Sequence, residues 1–335
     1  MVPSTAVYVA AVPISVIVAL GLLRKWRSRK WATCASNTCL RGKTFLITGA
    51  NCGIGYETAK TIVRRKGRVI FACRDIVKAK EAIANIRKEQ PNGGEMIPMQ
   101  LDLASFESIE NFVEVVKKGF NKIDVLINNA GVVVPLNQDL KTKEGFEIHF
   151  GVNHLGHFYL TNLLLDHLKR ATPSRIVVLS STLHERGKID FDDLNLRKQI
   201  EEAKKRGGSP RHNPGYCNSK LMNAYFAKGL ACNLRNTGID VNMVCPGFCA
   251  TNLFRHSIKW YHYILMAPIL IAFMKTAKQG SETVVFCATD HSIEGKTGKF
   301  YRDCEEYTSK HEFDKEVEAK LWSVSEELVK ARKPL

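Results

Sequence analysis

Tyr216 and Lys220 stand four residues apart in a stretch, Tyr216–Arg235, that reads as helix, so their side chains share one face. A phenol titrates near 10 and is a poor base at neutral pH. A lysine ammonium beside it stabilises the phenolate and brings its proton within reach of acid–base chemistry. An isolated Y-x-x-x-K is ordinarily an exposed helical pair, so its weight comes from its surroundings. Two features change that weight. The strand Arg175–Leu179 ends in Ser180-Ser181, and Lys43–Ala59 reads KTFLITGANCGIGYETA.

In the latter stretch the apolar run Thr44–Ile47 reads as a buried strand. Gly49, Gly53 and Gly55 follow, and a helical pattern opens at Ile54. Glycine lets backbone approach a pyrophosphate closely, and a helix N-terminus offers free N–H groups and partial positive charge. The spacing is T-G-x-x-x-G-x-G rather than G-x-G-x-x-G, and alone it fits any strand–helix loop. An oxidised nicotinamide bound beside Tyr216 would add a second positive charge and lower the phenol pKa further.

These groups need a frame. From Gly42 the chain alternates strand and helix. Strands are expected at Arg68–Cys73, Met96–Leu101, Ile123–Ile127, Arg175–Leu179 and Asp240–Val244, with helices at Asp75–Gln90, Ser105–Lys118, Gly145–Lys169 and Tyr216–Arg235. Such alternation implies an α/β fold, a Rossmann-like doubly wound parallel sheet covered on both faces. Ligands then bind beyond the carboxyl ends of the strands, where the strand order reverses. Thr48–Gly55, Arg74–Asp75, Asp102, Asn128–Gly131 and Ser180–Thr182 all fall at such ends.

The chain has 335 residues, a formal charge of +16 and ten cysteines. Lysine and arginine are dispersed, clustering only at Arg24–Lys30 and Lys204–Arg206, without the basic stripe and interleaved aromatics of a nucleic-acid binder. An anionic membrane surface and a phosphate-rich cofactor fit the charge better. The cysteines show no metal-like spacing, so free thiols and no metal are expected. Ala6–Leu23 is uncharged, apolar and about bilayer length, and the basic cluster follows it. A cleaved signal peptide would carry its basic residues before the apolar core, so an uncleaved single-pass anchor is expected, with the remainder cytosolic. Residues 1–31 are thus anchor and basic flank, 32–41 a connector, 42–305 the catalytic domain and 306–335 a helical tail of mixed charge.

The ordered motifs together resemble the short-chain dehydrogenase/reductase family over roughly residues 42–305. They are Thr48–Gly55, N-N-A-G at Asn128–Gly131, Asn153 within the long helix, the strand-end serine, Tyr216-x-x-x-Lys220 and Pro246-Gly247. Within the family the chain looks most like the membrane-anchored retinol dehydrogenases. The stretches carrying that likeness are ITGANCGIG, FACRD at Phe71–Asp75, LDLAS at Leu101–Ser105, INNAGV at Ile127–Val132, FGVNHLGHF at Phe150–Phe158, IDFDDLN at Ile189–Asn195 and GKFYRDC at Gly298–Cys304.

The resemblance implies that Tyr216 exchanges the proton at the substrate oxygen, that Lys220 holds the nicotinamide ribose and that Ser181 hydrogen-bonds the carbonyl or alcohol. Ser180 faces the other way, since adjacent strand residues alternate. Asn153 would help hold a water that relays protons by way of the lysine; otherwise it reads as a polar residue on a solvated helix face. Thr48, Gly49, Asn51, Gly53, Ile54 and Gly55 would cradle the pyrophosphate. Asp102 and Leu103 would face the adenine, Asn129, Ala130 and Gly131 would line the cofactor, and Pro246, Gly247 and Thr251 would reach the nicotinamide. The interval from Ser181 to Tyr216 is much longer than in the shortest family members, so Gln199–Pro214 is expected to bulge out near the site.

Charge argues for the cofactor. NAD-specific folds carry an acidic residue where the second strand ends, which repels a 2′-phosphate. Here Cys73 is followed by Arg74, whose guanidinium can pair with that phosphate, while Asp75 can cap the next helix. NADP(H) is expected over NAD(H), although Cys52 stands where some NADP-dependent relatives carry a second basic residue. Ile258–Met274 is apolar but short for a span, contains Pro268 and interrupts the α/β pattern. It reads as a flap over the substrate site that also dips into the membrane surface. The implied activity is interconversion of retinal and retinol or a similar lipophilic aldehyde and alcohol. The alternatives are a steroid or long-chain fatty carbonyl reductase, and a catalytically silent NADP-binding membrane scaffold. The likeness points to the endoplasmic reticulum, with a mitochondrial membrane or lipid droplet as the other locations, and a homo-oligomer is compatible with it.

Overall fold

The computed structural model describes residues 19–29, 31–207, 212–249 and 273–333. Eight strands form one sheet in the order β3-β2-β1-β4-β5-β6-β7-β8. They are β1 (Thr44–Thr48), β2 (Arg68–Cys73), β3 (Met96–Gln100), β4 (Val125–Asn128), β5 (Ser174–Leu179), β6 (Ile239–Cys245), β7 (Phe300–Arg302) and β8 (Glu305–Glu306). All pairings are parallel except β7 with β8. The order reverses between β1 and β4, and the expected ligand crevice lies at that switch.

The helices sort to two faces. On one, α1 (Gly53–Arg64), α2 (Ile76–Glu89) and α7 (Ala277–Thr289) bury Ile62, Val63, Ile86 and Val284 against Phe45, Ile47, Phe71 and Ile127. On the other, α3 (Phe106–Gly119), α4 (Gly156–Lys169) and α6 (Pro214–Asn233) cover Leu46, Ile70, Leu126 and Val178, and α8 (Lys315–Ala331) adds Leu321 and Leu328 to the same core from outside. Successive strand residues alternate faces, and both faces are apolar, as a sheet covered on both sides requires. The short α5 (Arg197–Lys205) closes a satellite core of Leu136, Leu196, Ile200 and Ala203.

The six strands expected from sequence are all present. The expected helix over Gly145–Lys169 instead begins with a π-helical turn, Phe150–Leu155, before α4. Part of the expected bulge over Gln199–Pro214 is α5, and residues 208–211 lie outside the described residues. Strands β7 and β8 and helix α7 were not foreseen. Helix α8 lies across α4 and α6, with Trp322 5.1 Å from Phe158 and 6.0 Å from Phe226 between ring centroids. All ten cysteines are free thiols. Among the described residues no helix is long and apolar enough to cross a membrane. Residues 1–18, and most of the expected flap, lie outside the described set.

Candidate active site

The glycine turn is held open by sterics. Gly49 and Gly53 have φ of +67° and +59°, a region that disfavours other residues. At Gly55 a Cβ would fall 2.4 Å from Gly49 O and 2.5 Å from Asn129 Nδ2. Helix α1 therefore approaches the end of β1 as closely as backbone allows. Asp75, Ser105, Asn213, Thr276 and Asp314 cap α2, α3, α6, α7 and α8, and Asp193 accepts from the first amides of α5. Cys52 gives α1 no such cap, and its first turn holds no acidic residue. A cradle that a side chain would fill, beside a helix end with free amides, fits the pyrophosphate of a dinucleotide.

Thr48 joins this turn to the β4 loop. Its Oγ1 accepts the amides of Asn129 and Ala130, both at 2.9 Å, while Asn129 Nδ2 donates to Thr48 O at 2.7 Å. The hydroxyl proton has a defined direction. His157 Nδ1 lies 3.0 Å from Asn153 O, an atom that only accepts, so Nδ1 carries the ring hydrogen. Burial pulls the His157 pKa down to about 4, so the ring is neutral and its Nε2 accepts from Thr48 Oγ1 at 2.9 Å. This buried histidine escaped the sequence reading, although it lies inside FGVNHLGHF.

Asn153 is fully buried rather than on a solvated face. Its Oδ1 accepts Val132 N at 2.8 Å, and its Nδ2 donates to Val132 O and Ser219 Oγ at 3.1 and 3.0 Å. A Cβ at Gly131 would lie 3.4 Å from Asn153 Oδ1 and 3.7 Å from Lys220 Nζ, which brings the β4 loop, Asn153 and Lys220 together. Ser180 and Ser181 diverge as strand alternation requires. Ser180 Oγ donates to Lys220 O at 2.8 Å, whereas Ser181 reaches Tyr216.

Tyr216 and Lys220 are both buried on one face of α6, with Lys220 Nζ 5.6 Å from the Tyr216 ring centre. Their electrostatics differ from the expectation. Burial pushes the Tyr216 phenol well above its ordinary value, with nearby Cys245 and Cys217 adding to this and the Ser181 hydrogen bond opposing it. Burial also brings the Lys220 ammonium down to about 8, and its Nζ donates to Leu179 O at 3.1 Å. Desolvation thus dominates in the cofactor-free protein, and the phenol is held protonated.

Of the residues expected at the cofactor, Arg74 is exposed at the end of β2 and faces no carboxylate partner among the described residues. Asp75 is committed to capping α2 through the amides of Val77 and Lys78. Asp102 Oδ1 accepts Ala104 N at 3.0 Å, and the Leu103 side chain is buried in the core. Asn51 and Ile54 flank the turn, partly exposed, and Pro246 and Gly247 follow β6 with Gly247 at φ +85°. Thr251 lies outside the described residues.

The short chain dehydrogenase family profile matches residues 43–191 and 207–262. The chain belongs to the short-chain dehydrogenases. Retinol dehydrogenase 14 of Mus musculus is 42% identical to this short-chain dehydrogenase over 308 residues, covering 87% of this chain and 86% of that one. Retinol dehydrogenase 12 of Homo sapiens is 40% identical over 301 residues, covering 89% and 90%. A crystal structure of an uncharacterised protein from Mycobacterium Paratuberculosis matches with a TM-score of 0.64 at 30% identity, covering 90% of this chain and 99% of that one. This short-chain dehydrogenase is therefore an oxidoreductase, and Ser181, Tyr216 and Lys220 converge where its sheet presents the crevice.

Proposed function

We propose that the protein is an NADP(H)-dependent oxidoreductase that interconverts retinal and retinol or a similar lipophilic aldehyde and alcohol. The observation that carries this reading is the Ser181–Tyr216–Lys220 constellation beside the open glycine cradle, in a chain about 40% identical to retinol dehydrogenases. When bound, the nicotinamide supplies or accepts the hydride. The chain's own residues handle the oxygen. Ser181 donates a hydrogen bond to the carbonyl, and Tyr216, held protonated by burial, gives its proton as charge develops there. Lys220 would bind the ribose hydroxyls, and Asn153 fixes the β4 loop that would line the cofactor. A protonated phenol suits reduction; the reverse direction needs the phenolate and is favoured as pH rises.

Arg74 supports the 2′-phosphate form of the cofactor, because its guanidinium is exposed where that group would lie and Asp75 is occupied elsewhere. The membrane reading draws on exposed apolar side chains. Leu22, Leu23, Trp26, Phe248 and Phe273 are all exposed. Arg27 stacks over Phe273 at 4.4 Å, and Arg24 donates to Met274 O at 3.2 Å. The basic flank thus docks on the residues that end the apolar segment, which suits a catalytic domain resting on an anionic lipid surface. In this reading residues 1–31 are the anchor and its flank, 32–41 a connector, 42–305 the catalytic domain and 306–335 a tail.

The test is NADPH and NADH oxidation by the detergent-solubilised protein with all-trans-retinal, against steroid ketones and long-chain aldehydes. Retinal reduction preferring NADPH, abolished in Tyr216→Phe, is the expected result. Turnover of a steroid ketone with a higher kcat/KM moves the substrate, and full activity in Tyr216→Phe overturns the mechanism.

A further inference from the structure

The backbone from Val132 to Val134, which leaves the N-N-A-G loop, is a strap gripped at both ends. Asn153 holds its first residue. Its last residue is held by two groups that the reading of Tyr216 does not use. Val134 N donates to His149 Nε2 at 3.0 Å, and Val134 O accepts from Asn213 Nδ2 at 2.6 Å. Asn213 is also the cap of α6, its Oδ1 accepting the amide of Tyr216 at 3.2 Å.

The histidine is held in turn. An amide nitrogen only donates, so His149 Nε2 is unprotonated and Nδ1 carries the hydrogen. That hydrogen points to Glu147 Oε1 at 2.5 Å, and Glu147 Oε2 accepts the amides of His149 and Phe150 at 3.0 and 2.9 Å. The Glu147 and His149 side chains are 2% and 1% exposed. The Glu147 amide donates to Asn195 Oδ1 at 2.8 Å, which ties the pair to the loop before α5. The pair also abuts the reacting helix directly. A Cβ at Gly215 would fall 2.8 Å from His149 Nδ1 and 3.1 Å from Glu147 Oε1, and the His149 and Tyr216 rings meet edge to face at 6.5 Å.

We infer that the buried Glu147–His149 pair is a positioning device for Tyr216, acting through Val134 and Asn213 on the first turn of α6. It rests on the reading of Tyr216 as the proton donor. A buried carboxyl–imidazole pair is not in itself a reliable source of stability, since desolvation offsets the contact. Its connectivity is the informative part. Every hydrogen-bonding atom of the two side chains is committed, and the chain of bonds ends on the amide of the residue that must meet the substrate oxygen. Misplacement of a reacting group by about 1 Å lowers turnover on the order of 100-fold. Neither side chain touches substrate or cofactor in this scheme.

The test pairs two amides at position 149. The Asn side chain ends near the position of Nδ1, so His149→Asn keeps the bond to Glu147 and abandons Val134. The longer Gln places its carbonyl near Nε2, so His149→Gln keeps the bond from Val134. A third variant, Asn213→Ser, keeps a helix cap but has no amide for Val134 O. The expected result is a loss in kcat of about 10- to 100-fold for His149→Asn and Asn213→Ser, with KM and NADPH affinity within about twofold of the parent. His149→Gln should recover most of the loss. Parent-like kcat in both His149→Asn and Asn213→Ser overturns the inference, as does a loss that appears in NADPH affinity or KM instead. If His149→Asn does not fold, Asn213→Ser decides alone. Tyr216→Phe run alongside separates the two levels: if it is active the proposed function itself fails, and if it is inactive only the positioning role is at issue.

Discussion

Lys220 should make the protein less stable than it would be without the charge, and the deficit should vanish at high pH. The side chain is 4% exposed, and burial lowers its pKa from lysine's usual 10.5 to about 8. At about 1.4 kcal/mol per unit, holding the ammonium inside costs roughly 3 kcal/mol at pH 7. The sign follows from proton counts. Between pH 8 and 10.5 the unfolded chain keeps the proton that the native lysine has shed, so native stability rises with pH. The cost is full below pH 8, about 2 kcal/mol at pH 9 and about 1 kcal/mol at pH 10. Tyr216, raised by burial, adds an opposite trend only above pH 10, and equally with or without the lysine.

Lys220→Met keeps most of the stem and removes the charge. It forfeits the bond to Leu179 O, worth about 1 kcal/mol, although that oxygen still accepts from Asn223 Nδ2 at 3.3 Å. The variant should therefore be more stable than the parent by about 2 kcal/mol at pH 7, about 1 kcal/mol at pH 9 and nothing at pH 10. For a chain of this size 2 kcal/mol corresponds to a Tm gain of roughly 3 °C. Urea unfolding of the cofactor-free protein at the three pH values measures the gap, and the activity assay should show turnover lost. A variant less stable than the parent at pH 7, or a gap indifferent to pH, refutes the argument that burial of a cation sets this lysine's pKa.

Two further outcomes follow from the same geometry. Thr48→Val leaves the amides of Asn129 and Ala130 without their acceptor, which should lower stability by about 2–4 kcal/mol in urea melts and weaken NADPH binding, while Thr48→Ser should restore both. Arg74→Ser should reduce the kcat/KM preference for NADPH over NADH by about 10- to 100-fold, and an unchanged ratio would show that the 2′-phosphate is read elsewhere.

The sheet was legible because its strands are short runs of β-branched and aromatic residues, such as Thr44–Thr48 and Arg68–Cys73, separated by amphipathic helices and glycine turns. Ser181, Tyr216 and Lys220 were legible because one strand end and one helix face bring them together whatever surrounds them. What surrounds them was not. The fall in the Lys220 pKa and the rise in that of Tyr216 come from desolvation, which depends on how α6 packs against the sheet and not on the three residues between them. The π-helical turn at Phe150–Leu155 was hidden because its side-chain pattern matches ordinary helix over so short a span. Glu147, His149 and His157 do not stand out in the sequence, since nothing local marks a charged or imidazole side chain as buried.

Burying so many polar groups next to one crevice would be a poor way to stabilise a fold, since each must find partners or lose free energy. It is a good way to fix loops. The β4 loop carries Asn129 to Val134 away from the sheet, and backbone leaving a sheet has no ladder to hold it. Here Thr48, Asn153, His149 and Asn213 replace the ladder one amide or carbonyl at a time. Each of those side chains is anchored on β1, on the π-helical turn or the residue before it, or at the cap of α6, so the loop inherits their rigidity. A satisfied polar network admits few alternative arrangements, whereas apolar contacts would tolerate sliding. The loop beside Tyr216 is thus irregular backbone whose position is set by strand and helix, which is what the proposed proton transfer at a single oxygen requires.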